Sequence, residues 1–394
     1  MAESRRLPRW AKITLGTIVA LILVFYVAGG IVFSNMVRAD ALVPQGPTPD
    51  NGVYIVSVEE PLITLTSREA REDTTRPGVA GLAWDGGYAL LEDIVAIDGL
   101  DVTRSFELVS GSPPAPCTTD LATCDEVDIE TWAFQSDPGD VNLDFEHVEF
   151  DSALGALGAW QVEAGDGTVW AVHAHGWRAS RREALRSLPI FHEAGMTSLV
   201  MDYRNDEGAP ADPSGLYRFG RTEWEDVEAA VRYALASGAE DIVLVGYSTG
   251  AALHLAFLER STLGGEVVAA VFDAPNIDMA ETVRNEAAKR KLGPTPFPVP
   301  GSLTTVALLI ADLRWDVDWN GIDYVDRAEA IVTIPTLVFH GTEDDRVPID
   351  VSREFRDNAP EHVRLIEIPE AGHVASWNVD TATYERELAS FLGA

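Results

Sequence analysis

The second half of the sequence alternates between short apolar runs and longer segments with helical periodicity, and this rhythm constrains the fold most strongly. Several runs are apolar throughout, such as Ile242-Val243-Leu244-Val245. Strands that are apolar on both faces are typical of a parallel sheet that is covered by helices. Strands are predicted over 145–150, 159–164, 169–174, 197–202, 241–246, 267–273, 335–340 and 363–368. Helices are predicted over 180–194, 221–237, 249–260, 349–358 and 380–392.

This alternation predicts an α/β fold over residues 145–394, built on a doubly wound and mostly parallel sheet. The first two predicted strands have no helix between them, so we expect an antiparallel hairpin at the edge of the sheet. The rhythm is interrupted between 274 and 334. We interpret residues from about 276 to 332 as a mostly helical cap, inserted above the carboxyl ends of the strands.

Residues 53–144 show a different pattern, in which short alternating runs are separated by turns such as Trp84-Asp85-Gly86-Gly87. Such runs are typical of β-hairpins, so this stretch is predicted to be a small β-rich module. It carries no recognisable chemical motif. Cys117 and Cys124 lie in its Pro- and Thr-rich part. They can form a disulfide if the module lies outside the cytoplasm, and two unpaired thiols are the alternative.

The N-terminal segment differs in charge from the rest of the chain, whose formal net charge is −34. Residues 1–12 are basic, and an uncharged run over 13–33 follows them. At about 1.5 Å per residue, a helix of this length crosses a hydrocarbon core of roughly 30 Å. The run is therefore predicted to be a transmembrane signal anchor, followed by a linker over 34–52. Because positive charge stays in the cytoplasm, the N-terminus is expected inside the cell membrane and the folded domains outside.

Two alternatives for this segment stay open. Ala39-Asp40-Ala41 fits the small-x-small pattern that precedes signal-peptide cleavage, and a buried helix of a soluble domain is the other alternative.

The acidic composition of the chain excludes one class of partner. Nucleic-acid binding depends on Lys and Arg side chains that neutralise phosphates, so no such binding is expected. The sequence gives no indication of the oligomeric state.

The segment Gly246-Tyr247-Ser248-Thr249-Gly250 lies between a predicted buried strand and a predicted helix. A serine in a sharp strand-to-helix turn needs small neighbours because its backbone is strained and crowded, which explains both glycines. Its hydroxyl then projects at the carboxyl edge of the sheet, where the helix N-terminus favours negative charge. Ser248 is the predicted nucleophile, and a loop serine that caps the helix is the alternative.

A serine nucleophile needs a general base, and the base needs a carboxylate that orients it. In this fold class the three residues follow one another in the order serine, acid, histidine. His373 follows the last predicted strand and can reach the edge where Ser248 lies, whereas His362 precedes that strand. The spacing H-G-x-x-D-x-x-V-P selects Asp344 as the acid, with Asp345 as the second candidate.

The negative charge that develops on a substrate carbonyl needs two backbone N–H donors. Thr249, which directly follows the nucleophile, is expected to supply one. The other is expected from the loop after the strand 169–174, where Gly176 lets the backbone approach the substrate. Trp177 is the preferred donor in this loop, and Gly176 and Arg178 are the alternatives.

Other polar residues near these loops allow two interpretations each. His173 and His175 have the spacing of a metal pair, but no third ligand is recognised, so neither a metal nor another cofactor is expected. We interpret His175 as a brace of its loop. Tyr203, Arg204 and Tyr247 are candidates for the wall of a substrate pocket. Structural ion pairs in an acidic protein are the alternative for the Tyr203-Arg204 loop.

Taken together, these motifs resemble the α/β-hydrolase superfamily, and the resemblance covers residues 145–394. Within it, the chain is similar to the serine aminopeptidase and prolyl-oligopeptidase-like branch, which includes membrane-anchored lysophospholipases and esterases. The loop Asn205–Pro210 departs from the usual D-Y-R-G-x-G-x-S pattern. The resemblance is carried by His175-Gly176-Trp177, Asp202-Tyr203-Arg204, Glu223-Trp224-x-Asp226, Gly246–Gly250, Asp273-Ala274-Pro275, His340–Pro348 and Ala371-Gly372-His373.

The residues and the resemblance imply a serine hydrolase that cleaves carboxylic esters or thioesters through an acyl-enzyme. The membrane segment favours an acyl lipid or lysolipid as the substrate. A serine peptidase, an acyltransferase and a non-catalytic, membrane-tethered binding module are the alternatives. Apolar cap residues are available to line an acyl pocket or to form the core of the cap: Phe297, Val299, Leu303, Val306, Leu308 and Leu309.

Overall fold

The computed structural model describes residues 8–44, 52–67, 72–117, 124 and 127–393. The basic residues Arg5 and Arg6 lie outside these ranges. The chain forms two compact units, of which the smaller joins Met1–Val43 to Met279–Gly321. The larger unit comprises Pro44–Asp278 and Ile322–Ala394. The predicted α/β class, the β-rich module and the N-terminal apolar helix are all confirmed.

The elements are numbered here in chain order. The strands are β1 (Val53–Glu59), β2 (Leu62–Ser67), β3 (Ala80–Trp84), β4 (Gly87–Asp98), β5 (Asp101–Gly111), β6 (Asp128–Glu130), β7 (Glu146–Asp151), β8 (Ala156–Val162), β9 (Val169–Ala174), β10 (Thr197–Met201), β11 (Asp241–Tyr247), β12 (Val267–Asp273), β13 (Thr336–Gly341) and β14 (Val363–Ile368). The α-helices are α1 (Arg9–Val37), α2 (Glu72–Thr75), α3 (Leu188–Glu193), α4 (Trp224–Ala236), α5 (Thr249–Arg260), α6 (Met279–Lys289), α7 (Gly301–Trp315), α8 (Ala328–Ile331), α9 (Ile349–Asn358), α10 (Ser376–Val379) and α11 (Thr381–Leu392).

The larger unit contains an eight-stranded sheet with the order β14-β13-β12-β11-β9-β10-β8-β7. The neighbours from β14 to β10 pair in parallel, and β8 pairs antiparallel with β10. Strands β7 and β8 form the antiparallel edge hairpin that the sequence predicted. Every residue of β10 and β13 is buried, which explains why these strands are apolar or small except at His340.

The β-rich module is a six-stranded antiparallel sheet with the order β1-β2-β5-β4-β3-β6. Its longest hairpin, β4 to β5, continues beyond the predicted run at Tyr88–Leu91. The tip of this hairpin is exposed on both faces, so burial imposes no apolar alternation there. Cys117 and Cys124 are joined in a disulfide.

Arg104 in β5 is fully buried, and its guanidinium donates hydrogen bonds to three backbone carbonyls. These belong to Arg76, Gly78 and Glu92. Burial lowers the pKa of Arg104 to about 10. The carbonyls replace water as partners for the charge, so this arginine ties β5 to the loop before β3.

In the smaller unit, α1 extends beyond the predicted span and continues into a π-helical turn, Arg38–Leu42. The predicted linker therefore begins later than residue 34. Arg290 of the cap segment pairs with Asp40 of this turn at 2.9 Å. Of the cap segment, the smaller unit contains helices α6 and α7.

Candidate active site

Ser248 occupies the turn between β11 and α5, with a positive φ of 49°. A side chain on either flanking glycine would collide with backbone. A Cβ at Gly246 would lie 2.5 Å from the nitrogen of Ala251, and one at Gly250 would lie 2.0 Å from the oxygen of Ala174. The crowding predicted from the sequence is therefore present, and it forces the serine side chain out of the turn.

The loops after β11, β13 and β14 bring the three predicted catalytic side chains together. The Nε2 atom of His373 lies 2.9 Å from Oγ of Ser248, and its Nδ1 atom lies 2.7 Å from Oδ2 of Asp344. Because a carboxylate only accepts hydrogen bonds, Nδ1 carries the proton and Nε2 is left to accept from the serine hydroxyl. This arrangement allows the histidine to act as a general base towards Ser248.

Asp344 is held as a charged acceptor on both of its oxygens. Oδ1 accepts hydrogen bonds from the amides of Arg346 and Val347, at 3.0 and 2.9 Å. Oδ2 lies 3.2 Å from Nε2 of His340, in addition to its bond with His373. Burial by itself raises the pKa of Asp344, but the nearby His373 and the hydrogen bonds lower it well below the usual range. The second candidate, Asp345, is exposed instead.

The loop after β9 lies directly against the nucleophile, since a Cβ at Gly176 would approach Cβ of Ser248 to 3.0 Å. The amide of Gly176 donates to Oε2 of the buried Glu183 at 2.7 Å, so this amide is already engaged. Of the three donors considered for this loop, Gly176 is therefore the weakest candidate. The amides of Trp177 and Thr249 remain the predicted oxyanion donors.

His175 braces this loop from behind. Its Nε2 atom lies 2.9 Å from Oδ2 of Asp206, and its ring stacks on Tyr203 with the centroids 4.5 Å apart. Burial by itself lowers the pKa of His175, but the charge and hydrogen bond of Asp206 outweigh it and raise the pKa to about 9. The Tyr203 hydroxyl donates to the carbonyl of Gly176 at 3.1 Å and fixes the loop further.

The structure also brings together a cluster of one histidine and two carboxylates that the sequence pattern did not reveal. His175, Asp202 and Asp206 offer ligand atoms within 4.8 Å of one another, a grouping that could hold a metal ion. Protein donors already engage both carboxylates, because Arg181 pairs with Asp202 at 3.0 Å and the Tyr203 amide donates to Asp206 at 2.7 Å. We therefore interpret the cluster as a hydrogen-bonded support of the loop.

The three residues that the sequence offered as the wall of a substrate pocket are all buried, and each has partners within the protein. The hydroxyl of Tyr247 is hydrogen-bonded to Ser187. Tyr203 supports the loop after β9, as described above. The guanidinium of Arg204 pairs with Asp226 at 2.7 Å, and with Asp212 and Glu225. The alternative of structural ion pairs is the one that the structure supports for Arg204.

Asn378, five positions after His373, links the histidine loop to the β-rich module. Asn378 does not cap the last helix, because Asp380 does so by accepting from the amide of Thr383. The side-chain amide of Asn378 instead donates to the carbonyls of Val79 and Thr131, both at 2.7 Å. These contacts join segments far apart in the chain, so no local pattern could have revealed them.

Arg186 completes this support of the histidine loop. Its guanidinium donates to Oδ1 of Asn378 at 2.8 Å and to the carbonyl of Val374 at 2.5 Å. Val374 directly follows His373 in the chain. The β-rich module, Arg186 and Asn378 thus form one hydrogen-bonded network behind the predicted base.

Comparison with known proteins identifies two matching families. A model described as the alpha/beta hydrolase family matches residues 171–386, and a domain of unknown function matches residues 54–119. The uncharacterized protein YfhR of Escherichia coli O157:H7 is 24% identical over 259 residues, which are 63% of this chain and 80% of that protein.

The structure is also similar to solved esterases. The Pyrococcus furiosus esterase Pf2001 is 20% identical, covers 66% of this chain and 94% of its own, and superposes with a TM-score of 0.51. The same esterase in a second space group gives 19% identity, 66% and 96% coverage and a TM-score of 0.50. At these identities the likeness shows the fold.

Proposed function

Because the chain belongs to the alpha/beta hydrolase family, we propose that it is a serine hydrolase that cleaves carboxylic esters or thioesters. One observation carries the proposal, namely the continuous hydrogen-bonded chain from Ser248 through His373 to Asp344. The similarity to an esterase of known structure supports the choice of an ester as the substrate class.

The proposed reaction proceeds through an acyl-enzyme. Oγ of Ser248 forms a bond to the carbonyl carbon while its proton passes to Nε2 of His373. The amides of Trp177 and Thr249 stabilise the oxyanion, and Asp344 stabilises the charged imidazole. The bond to the leaving oxygen or sulfur then breaks, and the leaving group takes the proton from Nε2. Water attacks the acyl-enzyme by the same route and releases the carboxylic acid.

The proposed location is the cell membrane, with α1 as an uncleaved anchor whose basic end faces the cytoplasm. Among the described residues, one helix, Arg9–Leu42, is long and apolar enough to cross a membrane, and an 18-residue stretch of it has a mean hydropathy of 2.5. The helix continues without interruption through Ala39-Asp40-Ala41, and the pairing of Asp40 with Arg290 supports its retention. A membrane location favours an acyl lipid or lysolipid as the substrate.

The test is labelling of the full chain in detergent by a fluorophosphonate, which reacts with activated serines. The Ser248→Ala variant should lose all labelling. The matched control Ser237→Ala, at an exposed position after α4, should label like the wild type. A series of esters of increasing acyl length then distinguishes small esters from lipid-like substrates. Failure of the folded wild type to react would contradict the proposal and favour a non-catalytic binding module.

A further inference from the structure

Helix α7 lies beside the second half of α1 and runs in the same direction. The contacts advance together along both helices: Tyr26 with Ser302, Gly29 with Leu303, Gly30 with Val306 and Ile310, and Asn35 with Arg314. Tyr26, Gly29 and Gly30 belong to the uncharged run of α1. Whatever medium surrounds that part of α1 therefore also surrounds the first turns of α7.

The two helices approach closely because glycines face α7. A Cβ at Gly30 would lie 2.8 Å from side-chain atoms of Val306 and Ile310, and one at Gly29 would lie 3.1 Å from Leu303. Small residues at a helix contact are typical of helices that pack within lipid, where close van der Waals contact replaces the hydrophobic effect. Leu303 and Val306 thus contact α1.

Several hydroxyls of this helix pair are hydrogen-bonded within the pair, which lowers their cost in a hydrocarbon environment. The Tyr26 and Ser302 hydroxyls are 2.8 Å apart. The hydroxyl of Thr305 donates to the carbonyl of Gly301 at 3.0 Å, and that of Ser34 donates to the carbonyl of Ile31 at 2.9 Å.

The segment that contains α7 is uncharged over a long stretch for such an acidic chain. No Asp, Glu, Lys or Arg occurs from 292 to 311. Large apolar side chains on this segment are exposed, with Phe297, Leu309 and Leu313 at 68%, 57% and 78%. Leu309 and Leu313 are four residues apart, so they lie on one face of α7.

Charged and aromatic groups lie near the C-terminal ends of α1 and α7. Arg314 donates to Asn35 at 2.7 Å, and the guanidinium of Arg38 lies over the ring of Trp315. The three residues before the uncharged stretch, 289–291, are all basic and include two of the three lysines of the chain. Basic and indole side chains next to an apolar segment are typical of the membrane–water interface.

We propose that α7 and the loop before it enter the outer half of the bilayer beside α1. A lipid surface, rather than water or another protein, then covers the exposed face that contains Leu309 and Leu313. The proposal rests on the proposed role of α1 as an anchor. It makes the cap segment a membrane-embedded part of the protein, so that an acyl lipid would meet this segment without leaving the bilayer.

The depth of three single labelled cysteines tests this proposal in the full chain. The native cysteines are joined in a disulfide, so a thiol-reactive, polarity-sensitive dye reports on one introduced position. The positions are Leu309→Cys on α7, Ile22→Cys in the middle of α1, and Ile97→Cys on an exposed hairpin as the control. The chain is reconstituted in phosphatidylcholine–phosphatidylglycerol vesicles that carry spin labels near the headgroup or deep in the acyl chain.

We expect the dye at 309 to be quenched several-fold more than the dye at 97, and most strongly by the shallow spin label. The dye at 22 should be quenched most strongly by the deep label. Quenching at 309 as weak as at 97, with strong quenching at 22, would overturn this proposal and leave the anchor intact. Weak quenching at 22 would overturn both. A dye at 309 that is shielded from water and unquenched by lipid, together with a disulfide between copies of the unlabelled Leu309→Cys chain, would show that a second chain covers α7 and would overturn this proposal.

Discussion

Replacing Asp206 by asparagine tests how the loop that carries Trp177 is held in place. The Asp206 carboxylate lies 2.9 Å from Nε2 of His175, and the two side chains are 12% and 2% exposed. An amide can still form a hydrogen bond there, but it cannot balance a charge. Because burial by itself lowers the pKa of His175, the raised value of about 9 depends on this carboxylate. We expect His175 in the variant to be neutral at pH 7.

The size of the effect follows from the two pKa values of this histidine. The pKa of His175 is raised from 6.5 to about 9 on folding. The stabilisation is therefore fully present below pH 6.5 and is lost as the pH rises through about 9. At about 1.4 kcal/mol per pKa unit, the wild type should lose about 3 kcal/mol of unfolding free energy from this group.

The assay is urea unfolding of the full chain in detergent at pH 6.0 and pH 9.5, followed by tryptophan fluorescence. The control is Glu207→Gln, because Glu207 is the exposed neighbour of Asp206 and undergoes the same change from carboxylate to amide. Wild type and control should lose about 3 kcal/mol more than Asp206→Asn between the two pH values. An equal loss in all three proteins would show that His175 is neutral in the folded state, which would refute this reasoning.

Three further predictions concern separate parts of the molecule. Asp344→Asn should lower kcat for ester hydrolysis by about 10⁴-fold without unfolding the protein, whereas the exposed Asp345→Asn should leave kcat near the wild-type value. Arg104→Met leaves three buried carbonyls without their donor, so it should lower the free energy of unfolding by about 3 kcal/mol or more in a urea titration. Gly30→Leu should separate α1 from α7 and speed limited proteolysis of the loop before α7. Gly16→Leu, at a position with no neighbouring atom within 4 Å, should not, and equal rates would contradict the packing role of Gly30.

Local periodicity was sufficient to locate several strands and helices of the α/β fold. The bounds of β9, β12, β14, α5 and α9 agree with those predicted from the sequence. Buried positions recur at a regular spacing along each of these elements, so the apolar pattern indicates where the element begins and ends. The exposed tip of the β4–β5 hairpin and the turn that follows α1 lack this pattern, and their bounds were missed.

The predicted catalytic side chains could be located because each follows a strand of one parallel sheet. Strand ends at the same edge meet in space, so the order of Ser248, Asp344 and His373 along the chain was enough to bring them together. Tyr203, Arg204 and Tyr247 also lie at strand ends or next to them, yet they are buried in the interior. The direction of a side chain relative to the sheet depends on its neighbours from other segments.

The sequence by itself determined the α/β architecture, the strained serine turn and the apolar helix, because periodicity and glycine spacing are local properties. Only the tertiary structure decided which distant groups became partners. It placed Asp202 and Asp206 beside His175, joined Asn378 to Val79, and packed α7 against α1. Such contacts form where separately folded surfaces meet, and their geometry depends on the packing of every element between them.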